Sequence, residues 1–255
     1  MSDVSNEAAA MPRIVDLTLP VVTGMAGIPS VAFLEDHPVT VRAVTLVSDQ
    51  QRAVLAREGV DHLADAPVTG NMNTVFTLNT HIGTHIDAPR HFLADGGPID
   101  ELPLDRLVMR EAVVLDLSYK QAGAGITGAD LERTGVVPVP GQVAVIKTLW
   151  TDRAWGKAAF WSDPVHLEPS VSEWTTARGV VAVAMDCFPE KPFWRMTVPS
   201  AERGANHKLW LKAGIPMIQL LTNLDHIGGR FTLIALPLRL KGMDGSPARV
   251  VGIES

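Results

Sequence analysis

The sequence predicts a mixed α/β fold in a single domain, and three observations support this prediction. Short runs rich in β-branched residues outnumber the helical segments. Strands and helices do not alternate strictly, which argues against a doubly wound parallel sheet and favours a mixed sheet. No repeat or Pro/Gly-rich linker divides the 255 residues, and a hydrophobic content of 46% is enough for one sizeable core. We therefore expect a disordered segment at residues 1–12 and one domain over residues 13–255.

The predicted strands are short apolar runs between polar, Pro or Gly residues: Ile14–Leu19, Val39–Leu46, Val75–Leu78, Ala112–Leu117, Val143–Ile146, Val180–Ala184, Ile215–Leu221, Phe231–Leu236 and Arg249–Ile253. Four helices are predicted at Ser48–Glu58, Gly128–Arg133, Val171–Ala177 and Ala205–Ala213. Thr127 is the expected N-cap of the second helix. Ser170 and Glu173 form an expected capping box for the third, and Gly214 is expected to end the fourth.

Composition narrows the classes of function. The formal net charge of -6 gives no electrostatic reason to expect nucleic acid or an anionic membrane as a partner, so a small-molecule substrate is the better expectation. No basic and apolar leader and no apolar stretch of about 20 residues is visible, which predicts a cytoplasmic protein. The single cysteine, Cys187, excludes a zinc site built from several thiolates.

The segment from His81 to His91 concentrates groups that bind metals. It holds three of the eight histidines, together with Asp87, within eleven residues. A single histidine is usually a structural or surface residue, but a cluster with a carboxylate is typical of sites for zinc or manganese. The sequence therefore predicts a metal site here.

The spacing of the histidines predicts a bend. A fully extended chain would separate the Cα atoms of His81 and His85 by about 13 Å, too far for two imidazoles to reach one ion easily. Gly83 is the residue best able to permit a tight bend, and Pro89 disfavours a helix at Ala88. The segment is thus expected to be a bent turn after the strand Val75–Leu78. It lacks the Glu that follows the first His in a zincin helix.

The run HIGTHIDAPRHF resembles the HxGTHxDxPxH motif of the cyclase family of metal-dependent hydrolases, and every fixed position of that motif is present. This family includes bacterial kynurenine formamidases, isatin hydrolases and some enzymes assigned to polyketide cyclisation. The resemblance implies a swivelling β/β/α domain that assembles as a homodimer or homotetramer. It also implies that His81, His85 and Asp87 are metal ligands and that His91 acts on water or substrate.

A second region, GANHKLWLKAGIPMIQLLTNLDHI, extends the resemblance. His207 and Gln219 correspond to a His and a Glu that hold a second ion in two-zinc formamidases of the family. An amide is neutral and a weaker ligand for a dication than a carboxylate. The resemblance to the isatin hydrolase branch therefore implies one ion per chain, Mn²⁺ or Zn²⁺.

For two side chains, Gln219 and Arg90, the sequence is compatible with two different roles. Gln219 interrupts an apolar strand, and an unpaired buried amide would cost about 1–3 kcal/mol, so it is expected either to bond to the backbone or to face the metal pocket as a ligand. Arg90 is expected either to bind a substrate carboxylate through its planar guanidinium or to lie on the surface. His207 is expected near the site as a residue that supports the ligands or the substrate.

These observations predict an enzyme that hydrolyses a small aromatic amide, either a cyclic amide such as isatin or an aryl formamide, with His91 as general base. No Gly-x-Ser-x-Gly motif is present, which argues against a serine hydrolase. One alternative is a metal-dependent cyclase or dehydratase acting on a polyketide-like substrate. The other is a metal- or ligand-binding protein without turnover.

Overall fold

A computed structural model describes residues 11–25, 27, 38–45, 53–54, 56–59, 72–192, 199 and 202–254. The strands in these residues are β1 (Arg13–Asp16), β2 (Thr40–Thr45), β3 (Met72–Thr77), β4 (His85–Asp87), β5 (Val108–Asp116), β6 (Gly125–Ile126), β7 (Val143–Lys147), β8 (His166–Leu167), β9 (Ala182–Met185), β10 (Met217–Gln219), β11 (Arg230–Pro237) and β12 (Gly245–Glu254). The helices are α1 (Gly128–Arg133), α2 (Trp150–Ala154), α3 (Ala159–Ser162), α4 (Pro169–Ala177) and α5 (Ala205–Lys212).

Seven of the strands close into a barrel-like sheet. Their order is β12-β11-β5-β7-β9-β10-β4, and β4 pairs with the start of β12 to complete the ring, while β1 pairs with residues 251–254 at the end of β12. The β5–β7, β7–β9 and β9–β10 pairs are parallel, and the remaining pairs in the ring are antiparallel. The predicted mixed sheet in one α/β domain is confirmed.

The parallel strands are buried on both faces, which explains their continuous apolar sequences. In β9 all four residues are buried. Alternate residues of β7 and β9, such as Val145 and Ala184, belong to one apolar cluster, and the residues between them, such as Ile146 and Val183, belong to a second. The second cluster also contains residues of each helix from α1 to α5, so these helices cover one face of the sheet.

Two helix starts test the predicted caps. At α1 the prediction is confirmed, because the Thr127 hydroxyl accepts from the Asp130 amide and the Asp130 carboxylate accepts from the Thr127 amide. At α4 the expected capping box is wrong. The N-cap is Glu168 without a side-chain hydrogen bond, and Pro169 occupies the first turn, where its fixed φ suits a helix.

Some expectations differ from the structure or fall outside it. The short helices α2 and α3 have no counterpart in the sequence predictions. Residues 1–10 of the expected disordered segment lie outside the described residues, as do residues 48–52 and 55 of the helix predicted at Ser48–Glu58. Residues 53, 54, 56 and 57 of that prediction are described and are helical. Within the described part of the chain, no helix is both long and apolar enough to span a bilayer.

Candidate metal centre

The strand β4 brings the motif to the seam where the barrel closes. It pairs with β10, where Gln219 lies opposite His85, and with β12, where Gly245 lies opposite Asp87. The predicted bend therefore covers only the first part of the motif, and His85–Asp87 form a strand. Because residues of three strands meet here, side chains far apart in sequence can converge on Asp87.

Gly83 makes the bend that brings two histidines together. Its φ is +60°, a conformation that favours glycine, and a Cβ there would lie 3.2 Å from Val21 Cγ2. The ring centroids of His81 and His85 consequently lie 5.4 Å apart. The left-handed conformation of Gly83 therefore brings the two rings within reach of one ion, as the predicted bend requires.

Thr84 fixes the bend to the rest of the fold. Its hydroxyl accepts a hydrogen bond from Leu19 N at 2.7 Å and donates to Leu220 O at 2.6 Å. The side chain is 2% exposed, so these bonds are shielded from water. The Thr of the motif is thus a structural residue that ties β4 to two other segments.

Asp87 is the centre of the site. Its carboxylate is fully buried, and four side chains surround it. One oxygen lies 2.8 Å from His81 Nδ1 and 3.4 Å from His85 Nε2. The other lies 2.5 Å from Gln219 Nε2 and 3.3 Å from His207 Nε2. Burial raises the pKa of Asp87, but the neighbouring histidines outweigh it and hold the pKa well below the usual value.

The contact between His85 and Asp87 is chemically incomplete without a cation. His85 Nδ1 donates to Gly83 O at 2.7 Å, and burial lowers the His85 pKa to about 4, so the ring is neutral and Nε2 carries a lone pair. That lone pair faces a carboxylate oxygen at 3.4 Å. Two acceptors this close repel one another unless a positive charge lies between them.

His81 lies between two carboxylates. Nδ1 faces Asp87 and Nε2 donates to Asp244 Oδ2 at 2.8 Å. Burial alone would lower the His81 pKa, but the charges of Asp87 and Asp244 raise it to about 9. In the metal-free protein His81 is therefore an imidazolium that compensates the buried charge of Asp87.

His207 is held by Glu190. Both the His207 amide and its Nδ1 lie within 2.9 Å of Glu190 Oε1, and the Phe92 ring stacks on the imidazole with centroids 4.4 Å apart. Burial lowers the His207 pKa, whereas the hydrogen bonds to Asp87 and Glu190 outweigh it and raise the pKa to about 9. The ring orientation leaves Nε2 facing Asp87.

His91 lies at the more open side of the site. It follows β4 in the 3-10 helix Pro89–His91, and its side chain is 27% exposed. The His91 ring packs on His81 with centroids 3.8 Å apart, and Nδ1 lies 3.3 Å from Asp244 Oδ2. Burial lowers the His91 pKa. The ring is thus neutral near pH 7, in a form that can accept a proton.

The spacing of these atoms fits a divalent cation. Ligand atoms on one zinc, with bonds of about 2.0–2.2 Å, lie roughly 3–3.5 Å apart. The separation of His85 Nε2 from Asp87 is 3.4 Å and falls in this range, whereas His81 Nδ1 lies slightly closer, at 2.8 Å. Ligand atoms of His81, Asp87 and His91 also lie within 4.8 Å of one another. His85 suits a ligand better than His91, because the bond to Gly83 O fixes its ring with a free nitrogen directed at Asp87.

Arg90 does not join this group. Its guanidinium is exposed and donates to Gly242 O at 3.1 Å. Gln219, in contrast, does face the site, with its amide nitrogen and not its oxygen towards Asp87. Asp244 and Glu190 were not predicted from the sequence. Asp244 stands in an Asp-Gly pair that reads as a turn signal, and nothing around Glu190 distinguishes it from a surface carboxylate.

Comparison with known proteins places these features in a family. The sequence profile described as "Putative cyclase" matches residues 15–189. The kynurenine formamidase of Bacillus mycoides is 31% identical over 186 residues, which cover 72% of this chain and 81% of that protein.

Solved structures show the same fold. Isatin hydrolase A from Labrenzia aggregata, bound to benzyl benzoate, superposes with a TM-score of 0.73 at 23% identity, covering 98% of this chain and 97% of that one. Isatin hydrolase A from Ralstonia solanacearum gives a TM-score of 0.72 at 24% identity, covering 96% and 92%. At this identity the likeness supports the fold.

Proposed function

Because the chain belongs to the cyclase family of metal-dependent hydrolases, we propose that it hydrolyses a small aromatic amide, with a divalent cation held around Asp87. The observation that carries this proposal is the buried pair formed by His85 and Asp87. Their facing lone pairs at 3.4 Å call for a cation between them. The cation is Mn²⁺ or Zn²⁺, the metals that accept mixed imidazole and carboxylate ligands.

We assign His81, His85 and Asp87 as the ligands. Support comes from the short separations of their nitrogen and oxygen atoms and from the two partners that orient the histidines, Gly83 O and Asp244. One ion per chain is proposed. Gln219 occupies the side of Asp87 where a further ligand would be needed, and its amide nitrogen cannot bind a cation.

A bound divalent cation would polarise the substrate carbonyl and lower the pKa of water. His91 is proposed as general base. Its Nδ1 faces the Asp244 carboxylate, which leaves Nε2 with the lone pair that accepts a proton from water and then returns it to the leaving nitrogen. Phe92 and His207 form a stacked pair beside His91, and we propose that they bound the pocket on this side.

The proposed substrates are N-formylkynurenine-like formamides and isatin-like cyclic amides. The curated relatives at about 30% identity are kynurenine formamidases, and the structural neighbours include isatin hydrolases. In both reactions water attacks an amide carbonyl of a small aromatic molecule. One site with one general base therefore suits either reaction.

The test is turnover of isatin and N-formylkynurenine by the wild type and by His91→Ala, each supplied with Mn²⁺ or Zn²⁺. We expect His91→Ala to keep its metal and to lose roughly 10²–10⁴-fold in kcat, the usual contribution of a general base. His226→Ala is the matched control, since His226 is 63% exposed and pairs only loosely with Asp225.

Solvent labelled with ¹⁸O distinguishes hydrolysis from cyclisation. Hydrolysis transfers one solvent oxygen to the product. Wild-type activity in His91→Ala would remove His91 from the mechanism, and a product that closes a ring without solvent oxygen would contradict the proposed reaction.

A further inference from the structure

We infer that Asp244 is a positioning residue that orients a metal ligand and the general base at the same time. The inference rests on the proposed function, and it concerns a residue outside both the sequence motif and the matched residues 15–189. A single oxygen, Asp244 Oδ2, lies 2.8 Å from His81 Nε2 and 3.3 Å from His91 Nδ1. The two rings that it contacts are packed on one another.

The carboxylate is itself held in place. Its other oxygen accepts a hydrogen bond from the Thr80 hydroxyl at 3.0 Å, so rotation of the group is restricted. Thr80 directly precedes His81, and the Thr80 and His81 contacts therefore attach the carboxylate to the same turn at two points. Both oxygens are used, and neither histidine can turn away without breaking a contact.

The loop that carries Asp244 is fixed on several sides before it enters β12. Four hydrogen bonds hold three consecutive residues: Arg90 Nη1 to Gly242 O, Gly242 N to Asp100 Oδ1, Ile99 N to Met243 O and Ala88 N to Asp244 O. Arg90 therefore has a structural role, because its hydrogen bond to Gly242 O connects the loop to the 3-10 helix that ends in His91. The loop is therefore hydrogen-bonded directly to the segment that carries the base.

The contacts select the useful tautomer of each histidine. A donor hydrogen on His81 Nε2 leaves Nδ1 to act as the ligand atom beside Asp87, and a donor hydrogen on His91 Nδ1 leaves Nε2 to act as the base. A carboxylate behind a ligating histidine typically fixes the ring and raises its basicity. Asp244 would thus hold both rings in place, and it would keep the hydrogen on His81 Nε2 when the Nδ1 proton is lost to make way for the metal.

Asp244 differs from a residue of the hydrophobic core in its exposure to solvent. The Asp244 side chain is 40% exposed, so its removal opens no core cavity. A role limited to stability would change the unfolding transition and leave the affinity for metal unchanged. A positioning role predicts a weaker affinity for metal, whether or not the unfolding transition also changes.

The experiment measures the Kd of the metal-free protein for Mn²⁺ alone and for Zn²⁺ alone by calorimetry or chelator competition. We expect Asp244→Ala to bind 10–100-fold more weakly than the wild type, the effect typical of a lost partner of a ligating histidine. Asp244→Asn keeps the size and one acceptor oxygen, and we expect a smaller loss in the same direction. Asp225→Asn is the matched control, because Asp225 also lies beside a histidine but on the surface.

Kinetics of the metal-saturated enzymes give a second readout, in which we expect both Asp244 variants to lower kcat more than they change KM. Circular dichroism of Asp244→Asn confirms that the chain is folded. Affinities of both variants within twofold of the wild type, with unchanged kcat, would overturn the inference. A wild type that binds neither metal would instead contradict the proposed function, so the two failures are distinguishable.

Discussion

Gln219 is the residue that we propose limits the site to one ion. It lies on β10 opposite His85, and its amide contacts the same Asp87 oxygen that faces His207 Nε2. A carboxylate at this position would add a charged ligand beside His207 and Asp87 and would create a second set of three ligands. The neutral amide supplies only a hydrogen bond to Asp87.

We therefore predict that Gln219→Glu raises the metal content from about one ion to about two per chain. Elemental analysis after dialysis against Zn²⁺ measures this directly. Gln121→Glu, at an exposed glutamine, controls for the added charge. A content of one ion in both variants would show that Gln219 does not limit the stoichiometry.

Some residues of the site were predictable from the sequence, and Asp244 was not. The sequence predicts a metal site at His81, His85, Asp87 and His91 because these residues lie within eleven positions of one another. Asp244 lies 163 residues from His81, and only the closure of the barrel brings it into contact. An isolated Asp before a Gly carries no signal that separates this role from that of a turn residue.

At the scale of elements, the start of β12 controls the position of His81. A Cβ on Gly245 would lie 2.6 Å from His81 Cε1 and 3.0 Å from Ile86 O, closer than side chains and backbone tolerate. The strand therefore packs directly against the imidazole, and glycine is required for this close approach.

Gly245→Ala is predicted to displace His81 and to weaken metal binding by at least tenfold, since ligand displacement also breaks the contact to Asp244. Calorimetric titration with Mn²⁺ measures the affinity. Gly229→Ala is the control, because a Cβ there meets nothing within 4 Å. Equal affinity in the two variants would mean that β12 does not position the ligand.

The elements themselves were predictable to the extent that local chemistry determines them. Thr127 begins α1 as expected, because its capping box involves only neighbouring residues. Ser170 failed as a cap because Pro169 already begins the helix. The strand β4 is three residues long, and it exists only because β10 and β12 pair with it, so no local pattern reveals it.

At the scale of the whole molecule, the buried site links stability to pH. In the metal-free protein the pKa values of His81 and His207 are raised to about 9, because the nearby carboxylates outweigh burial. A histidine with a raised folded-state pKa stabilises the fold fully below its unfolded pKa of about 6.5. This stabilisation is lost as the pH rises through about 9.

We predict that the free energy of unfolding of the metal-free protein falls between pH 7 and pH 9.5, as measured by urea denaturation. Glu190→Gln should show a smaller fall, because the His207 pKa is then less raised. The metal-bound protein should show a weaker dependence on pH, because a cation would take the place of the His81 proton that the metal-free protein loses in this range. Constant stability of the metal-free protein over this range would contradict the charge states assigned to the two histidines.

The closed seven-strand ring was not predictable from the sequence, although the mixed sheet was. Periodicity and β-branched runs identify strands, but they do not specify that β4 joins β10 to β12 and closes the ring. That closure places Asp87 among histidines from two distant segments. The central claim, a metal site built on this carboxylate, therefore depends on the whole fold.

The most direct test is the metal content of the purified protein and of Asp87→Ala, with Asp116→Ala as a control at a half-exposed carboxylate outside the site. We predict about one manganese or zinc ion per chain in the wild type and in the control, and almost none in Asp87→Ala. A wild type without metal after Mn²⁺ or Zn²⁺ is supplied, or an Asp87→Ala variant that keeps its ion, would contradict the account.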